Sequence, residues 1–127
     1  MTKSEILEET IEFYTTDPSR RSLDDAGSCV YNAGTAQHCA VGRCLTPFFQ
    51  EQGRKLKFNV MGFEDFVDYY GYTSHDEALQ EQYQGHDMQF WVNLQYFHDT
   101  KKFWNETGLT AEGEEQMKFL INKYQNN

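Results

Sequence analysis

Residues 87–104 read DMQFWVNLQYFHDTKKFW, and this segment carries the clearest helical pattern of the chain. Its apolar and amphipathic side chains recur every three or four residues, which is the period of an α-helix with one buried face. The members of this stripe are Phe90, Trp91, Leu94, Phe97, His98, Lys101 and Trp104. Asp87 can cap the start of such a helix, and Gly108 is a natural residue for its end. The spacing therefore predicts one long helix between Asp87 and Gly108.

Five other segments follow the same helical period. Two capping boxes, Thr2 with Glu5 and Ser74 with Glu77, predict the starts of two of these helices. Thr110 can cap the last helix. The predicted segments cover about residues 2–17, 39–53, 63–70, 74–85 and 110–124.

A single small β-hairpin is predicted near residues 29–41. Residues 29–32 and 37–41 favour β-structure and flank a four-residue loop that contains Gly34. No internal repeat or linker interrupts the chain, so residues 1–127 are predicted to form one domain. The fold class is therefore mainly α (α+β), with about five or six helices packed around one core.

The composition excludes several classes of function. The 127 residues include 20 acidic and 11 basic side chains, for a net charge of −9. Direct nucleic-acid binding is not expected, because phosphates are bound by Lys and Arg. The chain has no apolar run long enough for a membrane span and no secretory signal, so a cytoplasmic protein is expected. No cofactor is expected, because no phosphate-binding loop or similar motif occurs.

The acidic charge is concentrated in two blocks. Residues 1–17 carry a net charge of −4, whereas residues 58–100 carry eight acidic side chains, eleven aromatic ones and no Lys or Arg. Such a block is either a solvated face or a surface that recognises a basic host or viral protein through carboxylates and aromatic contact area. The candidate partner-binding residues are Glu64, Asp65, Asp68, Asp76, Glu77 and Glu81.

The cysteines form a second candidate site. Three cysteines, an odd number, indicate free thiols in a reducing compartment. The weak candidates for metal ligands are Cys29, His38, Cys39 and Cys44. Structural zinc usually takes two close pairs of ligands, and only Cys39 and Cys44 have such a spacing. No metal site is favoured, although a zinc-stabilised module stays as an alternative to thiols that are simply buried.

An enzymatic interpretation makes Cys39 a nucleophile. Cys39 lies at the predicted start of a helix, where the positive end of the dipole lowers the pKa of a thiol. His98 is the candidate base, which would suit a hydrolase or an acyl transferase. Asp99 could orient His98 only if the helix has ended there, because neighbouring residues on a helix do not face each other. Otherwise His98 is a packed, hydrogen-bonded core residue.

Three short motifs mark a resemblance to a known family: Cys29-x-Tyr31, His38-Cys39-Ala-Val-Gly-x-Cys-Leu45, and Leu94-Gln-x-x-His98-Asp99 with Trp104 after it. They resemble the pattern of small proteins of uncharacterised activity that occur mainly in tailed phages. The resemblance implies a virus-encoded accessory protein that works in the bacterial cytoplasm. Our leading hypothesis is a non-catalytic binder or inhibitor of a host or viral protein that uses the acidic, aromatic middle segment.

Overall fold

The computed structural model describes residues 1–17, 20, 40–56, 68–69, 71 and 74–125, without the side chains of 52–56. Its α-helices are α1 (Lys3–Thr16), α2 (Pro47–Leu56), α3 (Met88–Asp99) and α4 (Ala111–Tyr124). Two short antiparallel strands, β1 (Trp104–Asn105) and β2 (Gly108–Leu109), join α3 to α4. The mainly helical class is confirmed. The described part of the chain contains four α-helices, so the expected count of five or six is wrong for it.

Helix α1 begins where its sequence predicts. The Thr2 hydroxyl accepts a hydrogen bond from the Glu5 backbone N–H (3.1 Å), and the Glu5 carboxylate accepts one from the Thr2 N–H (2.9 Å). These two bonds satisfy amides that a helix start leaves open. The buried face of α1 packs Ile6, Leu7 and Tyr14 into the core.

The segment after Ser74 is not an α-helix but two short 3₁₀ helices, His75–Ala78 and Glu81–Tyr83. Between them the backbone is extended and bonds to residues 44–46. The Thr46 N–H donates to the Ala78 carbonyl (2.9 Å), and the Gln80 N–H donates to the Cys44 carbonyl (3.0 Å). Backbone groups that would bond to one another in a continuous helix therefore bond instead to residues 44–46.

Helix α3 ends at Asp99, nine residues before the predicted end at Gly108. The indole N–H of Trp104 donates to the Phe97 carbonyl (2.9 Å), which in a continuing helix would accept from residue 101. Asn105 then opens a tight turn, because its side-chain oxygen accepts from the Thr107 N–H (2.8 Å). Gly108, at φ +130°, supplies a backbone conformation that other residues avoid. Trp104 thus lies on a strand and not on the helix.

Helix α2 starts at Pro47, which is a favoured residue for the first position of a helix. Residues 40–41 form a turn and Gly42–Cys44 a 3₁₀ helix, so the α-helix predicted over 39–53 does not extend through residues 40–46. Cys39 itself lies outside the described residues. The hairpin expected near 29–41 lies outside the described residues apart from that turn. The helix expected over 63–70 is described only at 68–69, where the backbone is helical.

The core lies where α1, α3 and α4 meet residues 40–45. Tyr14, Trp91 and Phe97 are among its largest fully buried side chains. Val41 and Leu120 pack into the same cluster. Across the described ranges, no helix has both the length and the apolar character needed to span a bilayer.

Candidate functional site

The end of α3 brings His98 and Asp99 into contact. His98 Nδ1 lies 2.7 Å from Asp99 Oδ1. Two side chains adjacent in sequence can meet here because the helix ends at Asp99. The His98 side chain has no exposure to solvent, whereas that of Asp99 is 41% exposed. The imidazole packs edge-on against the Tyr14 ring, with 5.0 Å between the ring centres. His98 is therefore a core residue that bonds to a water-accessible carboxylate.

Gln95 connects this pair to the segment that follows Cys39. Its side-chain carbonyl accepts from the Val41 backbone N–H (3.1 Å), and its amide N–H donates to Asp99 Oδ1 (2.8 Å). The motif residues of α3 and the backbone two positions after Cys39 therefore belong to one hydrogen-bonded chain. Gln95 entered the sequence analysis only as a member of the third motif and was given no role there, although its spacing of four residues from Asp99 on a helix is a usable signal.

Cys44 is fully buried in the core. Burial raises the pKa of its thiol to about 12, and its S–H points to the Ala40 carbonyl at 3.6 Å. Such a thiol is neither a nucleophile nor an accessible metal ligand at neutral pH. Of the other predicted ligands, Cys29, His38 and Cys39 lie outside the described residues. Within the part that is described, no three His, Cys, Asp or Glu side chains form a group that could hold a metal.

We expect Cys44 to resist alkylation in the folded protein. In a variant that carries Cys29→Ser and Cys39→Ser, iodoacetamide at about pH 8 should leave Cys44 unmodified until urea unfolds the chain, because a buried thiol with a raised pKa is almost entirely protonated. Mass spectrometry of the folded and the unfolded sample measures this. Rapid labelling without denaturant would contradict the buried position of Cys44.

An ion pair between the mostly buried Arg43 and the partly exposed Glu9 connects three separate segments. The Arg43 guanidinium, whose side chain is 10% exposed, pairs with Glu9 on α1. It also donates to the Thr10 hydroxyl (2.7 Å) and contacts the Tyr83 hydroxyl (3.2 Å). Its Cζ lies 5.5 Å from the centre of the Phe13 ring, which is a cation–π distance. Sequence reasoning missed this cluster, whose signal was a single charge inside the otherwise uncharged stretch 38–50.

Glu9 and Tyr83 respond in opposite directions to this environment. Partial burial by itself would raise the pKa of Glu9, but the hydrogen bonds from Tyr83 and Arg43 outweigh it and lower the pKa. Burial, together with the hydrogen bond that its hydroxyl donates to Glu9 (2.5 Å), raises the pKa of Tyr83 to about 12. Glu9 therefore acts as an ionised acceptor, and Tyr83 as a neutral donor.

The lowered pKa of Glu9 predicts a loss of stability in acid. The folded-state pKa lies below the ordinary value of 4.5, so the stabilisation is present above that value and is lost as the pH falls through the folded pKa. Unfolding by urea between about pH 7 and about pH 3 measures it. We expect Glu9→Gln to be less stable at neutral pH and to lose less on acidification.

Glu8→Gln is the matched control, because Glu8 is an exposed carboxylate on the same helix. Its pH profile should follow that of the wild type. Some acid sensitivity should persist in Glu9→Gln, because hydrogen bonds with Thr2 lower the pKa of Glu5, and the hydrogen bond from Lys3 lowers that of Asp87. Parallel profiles for the Glu8 and Glu9 variants would contradict the assignment.

The predicted partner-binding carboxylates have unequal surroundings. Asp68, Glu77 and Glu81 are exposed. The Asp76 carboxylate accepts an internal hydrogen bond from the Gly85 backbone N–H at 3.2 Å. Glu64 and Asp65 lie outside the described residues.

Helix α1 and residues 74–87 adjoin, which joins the two acidic blocks of the sequence. Tyr83 bonds to Glu9, and the Lys3 ammonium pairs with the Asp87 carboxylate at 3.0 Å. His86 Nε2 lies 2.8 Å from the Met1 carbonyl oxygen. Besides Asp87, exposed carboxylates on these two adjoining segments are Glu5, Glu8, Glu12, Glu77 and Glu81. We call these five residues the acidic junction.

An open groove of about 290 Å³ runs beside the acidic junction along α1. Its described lining residues are Glu9, Glu12, Phe13, Thr16 and Arg20. The Arg20 guanidinium lies 4.7 Å from the Phe13 ring centre and donates to the Phe13 carbonyl (3.2 Å). Of the cations in the described part of the chain, Arg20 and Arg43 both contact α1 near this groove.

Comparison with known proteins found no family model, no curated protein and no solved structure that matches this chain. The assignment of function therefore depends on the geometry of the chain itself. Two arrangements bear on the function: the acidic junction, and the His98–Asp99 pair with its link to residue 41.

Proposed function

We propose that the protein is a non-catalytic binder or inhibitor that engages a basic surface of a host or viral protein through the acidic junction. The observation that carries the proposal is the contact of α1 with residues 74–87, which adds the acidic N-terminal block to the acidic middle block. Among the described cations at this contact, Lys3 pairs with Asp87 and Arg43 pairs with Glu9. Glu8, Glu12 and Glu81 are exposed carboxylates on these two segments, and they supply the negative charge that would meet a partner.

The chemistry of this surface favours one class of partner. A row of carboxylates that meets Lys and Arg side chains steers association and fixes the register of the two proteins. A nucleic-acid-binding protein offers such a basic surface, on which these carboxylates would stand in place of phosphates. The resemblance to tailed-phage proteins agrees with a partner in an infected bacterial cell.

The test compares two variants of equal net charge. One carries Glu8→Gln, Glu12→Gln and Glu81→Gln in the acidic junction, and the control carries Glu106→Gln, Glu114→Gln and Glu115→Gln at exposed positions on the hairpin turn and α4. We expect the wild type and the control to retain the same protein from a bacterial lysate at low salt and to release it at high salt. The junction variant should not retain it.

Two further results judge the proposal. Duplex DNA added to the lysate should displace the retained protein if its nucleic-acid-binding surface is the one engaged. Equal retention by both variants, or retention that salt does not weaken, would overturn binding through the acidic junction.

A second candidate function is a cysteine-dependent hydrolase or acyl transferase, with Cys39 as the nucleophile and His98 as the base. The specific observation in its favour is the hydrogen bond of His98 Nδ1 with Asp99, together with the link through Gln95 to residue 41. A carboxylate on one ring nitrogen is the usual way to orient an imidazole base. The full burial of His98 supports its role as a core residue instead.

Alkylation rates separate these two roles of His98. With iodoacetamide at about pH 6, an activated Cys39 should react many times faster than Cys29 or Cys44, because only a thiol of lowered pKa is ionised there. His98→Gln should remove the difference. If Cys39 reacts no faster than the other two thiols, the enzymatic interpretation fails.

A further inference from the structure

We infer that Gln95 is a positioning residue that holds neutral His98 as the Nδ1–H tautomer, with the lone pair on Nε2. Three contacts carry the inference: Val41 N to Gln95 Oε1 (3.1 Å), Gln95 Nε2 to Asp99 Oδ1 (2.8 Å), and His98 Nδ1 to Asp99 Oδ1 (2.7 Å). They form a continuous chain from a backbone amide to an imidazole ring.

The direction of each hydrogen bond follows from the first one. A backbone N–H can only donate, so the oxygen of the Gln95 amide, and not its nitrogen, faces Val41. The nitrogen then faces Asp99, whose ionised carboxylate can only accept. The same carboxylate oxygen must also accept from His98, which places the imidazole proton on Nδ1.

The tautomer of His98 matters for the cysteine-dependent enzyme, the second candidate function, and this part of the inference rests on that function. The atom of His98 that could take a proton from a thiol is then Nε2, because Nδ1 is occupied by its own proton. Gln95 touches no reacting atom. It acts through Asp99 on the tautomer of the base, and it also holds the backbone of Val41, two residues after the candidate nucleophile Cys39.

Nitrogen NMR of the imidazole tests the tautomer in the intact protein. At a pH where His98 is neutral, we expect a pyrrole-type signal for Nδ1 and a pyridine-type signal for Nε2. Gln95→Met, which keeps the chain length but loses both hydrogen bonds, should shift His98 toward a mixture of the two tautomers. Gln95→Glu should do the same, because its carboxylate can accept from Val41 but cannot donate to Asp99.

The matched control is Gln89→Met, which removes an exposed glutamine that bonds to Asn93 on the same helix. It should leave the His98 signals unchanged. A wild-type protein with the proton on Nε2 would overturn the inference without any variant. Unchanged His98 signals in a folded Gln95→Met and a folded Gln95→Glu would overturn it as well.

The alkylation rate of Cys39 separates this inference from the enzymatic proposal. If Cys39 of the wild type is activated, Gln95→Met should slow its reaction by about tenfold, which corresponds to the loss of one hydrogen bond of about 1.4 kcal/mol in the transition state. If Cys39 is not activated in the wild type, the enzymatic proposal fails, and the NMR result alone decides the role of Gln95.

Discussion

Replacing Gly113 with alanine is expected to lower the free energy of unfolding by about 3 kcal/mol, at the upper end of the usual cost of overpacking. Gly113 lies in the first turn of α4, against the backbone of residue 103. A Cβ atom at this position would lie 2.1 Å from the Phe103 carbonyl oxygen, 2.9 Å from the Phe103 carbonyl carbon and 3.0 Å from Leu109 Cδ2. The same carbonyl oxygen accepts from the Thr110 N–H (2.9 Å), so it is held in place.

The sign of this effect distinguishes packing from helix propensity. In a helix without such a contact, Gly→Ala stabilises by roughly 0.5–1 kcal/mol. Here the helix has to move away from the hairpin to admit one methyl group. Thermal unfolding should show a melting temperature about 10 °C lower for Gly113→Ala. A variant that is as stable as the wild type, or more stable, would refute the close contact.

Glu114→Ala is the matched control for this prediction. Glu114 is the next residue in the same turn, and it is exposed. Its replacement removes one favourable charge near the helix start, which is worth roughly 0.3–1 kcal/mol. The two alanine variants should therefore differ clearly in melting temperature.

Replacing Arg43 with methionine is expected to destabilise the fold by about 3 kcal/mol, the lower end of the cost of removing one partner of a buried ion pair. The lower end applies because Glu9 is 40% exposed and water can partly solvate its carboxylate. The change leaves the Thr10 and Tyr83 hydroxyls without the guanidinium that contacts them. Methionine retains part of the apolar stem, so the loss reports mainly on the polar contacts.

A double variant measures how much of this loss comes from Glu9. Because Glu9→Gln removes the charge that Arg43→Met leaves unpaired, the double variant should be more stable than the sum of the two single effects predicts. Lys118→Met is the control for the loss of one exposed cation, and it should change stability by less than about 0.5 kcal/mol. Equal effects of the Lys118 and Arg43 variants in urea unfolding would contradict a stabilising role of the Arg43 cluster.

The starts of α1, α3 and α4 could be predicted from the sequence because the bonds that form them are local. Thr2 caps α1, Asp87 caps α3 and Thr110 caps α4, each through its own side chain to an amide at most three residues on. These bonds need no other part of the chain. The apolar stripe on α3 likewise identified Phe97 and His98 as buried residues.

The end of α3 and the 3₁₀ segments could not be predicted, because distant partners compete for the same backbone groups. The side chain of Trp104 takes the Phe97 carbonyl, and α3 ends soon afterwards. The carbonyl of Ala78 and the N–H of Gln80 bond to residues 46 and 44, so no α-helix forms over 75–83. A periodic pattern cannot show which long-range partner wins such a competition.

The candidate site divides in the same way. The sequence determined its residue types: an acidic N-terminal helix, an acidic middle block, and a histidine beside an aspartate. The contact of Asp99 with His98, and the Tyr83–Glu9 contact that joins the two acidic blocks, became visible in the three-dimensional structure. The physical reason is that charge and period belong to single residues and short segments, whereas these contacts depend on where each helix ends and which distant segment packs against it.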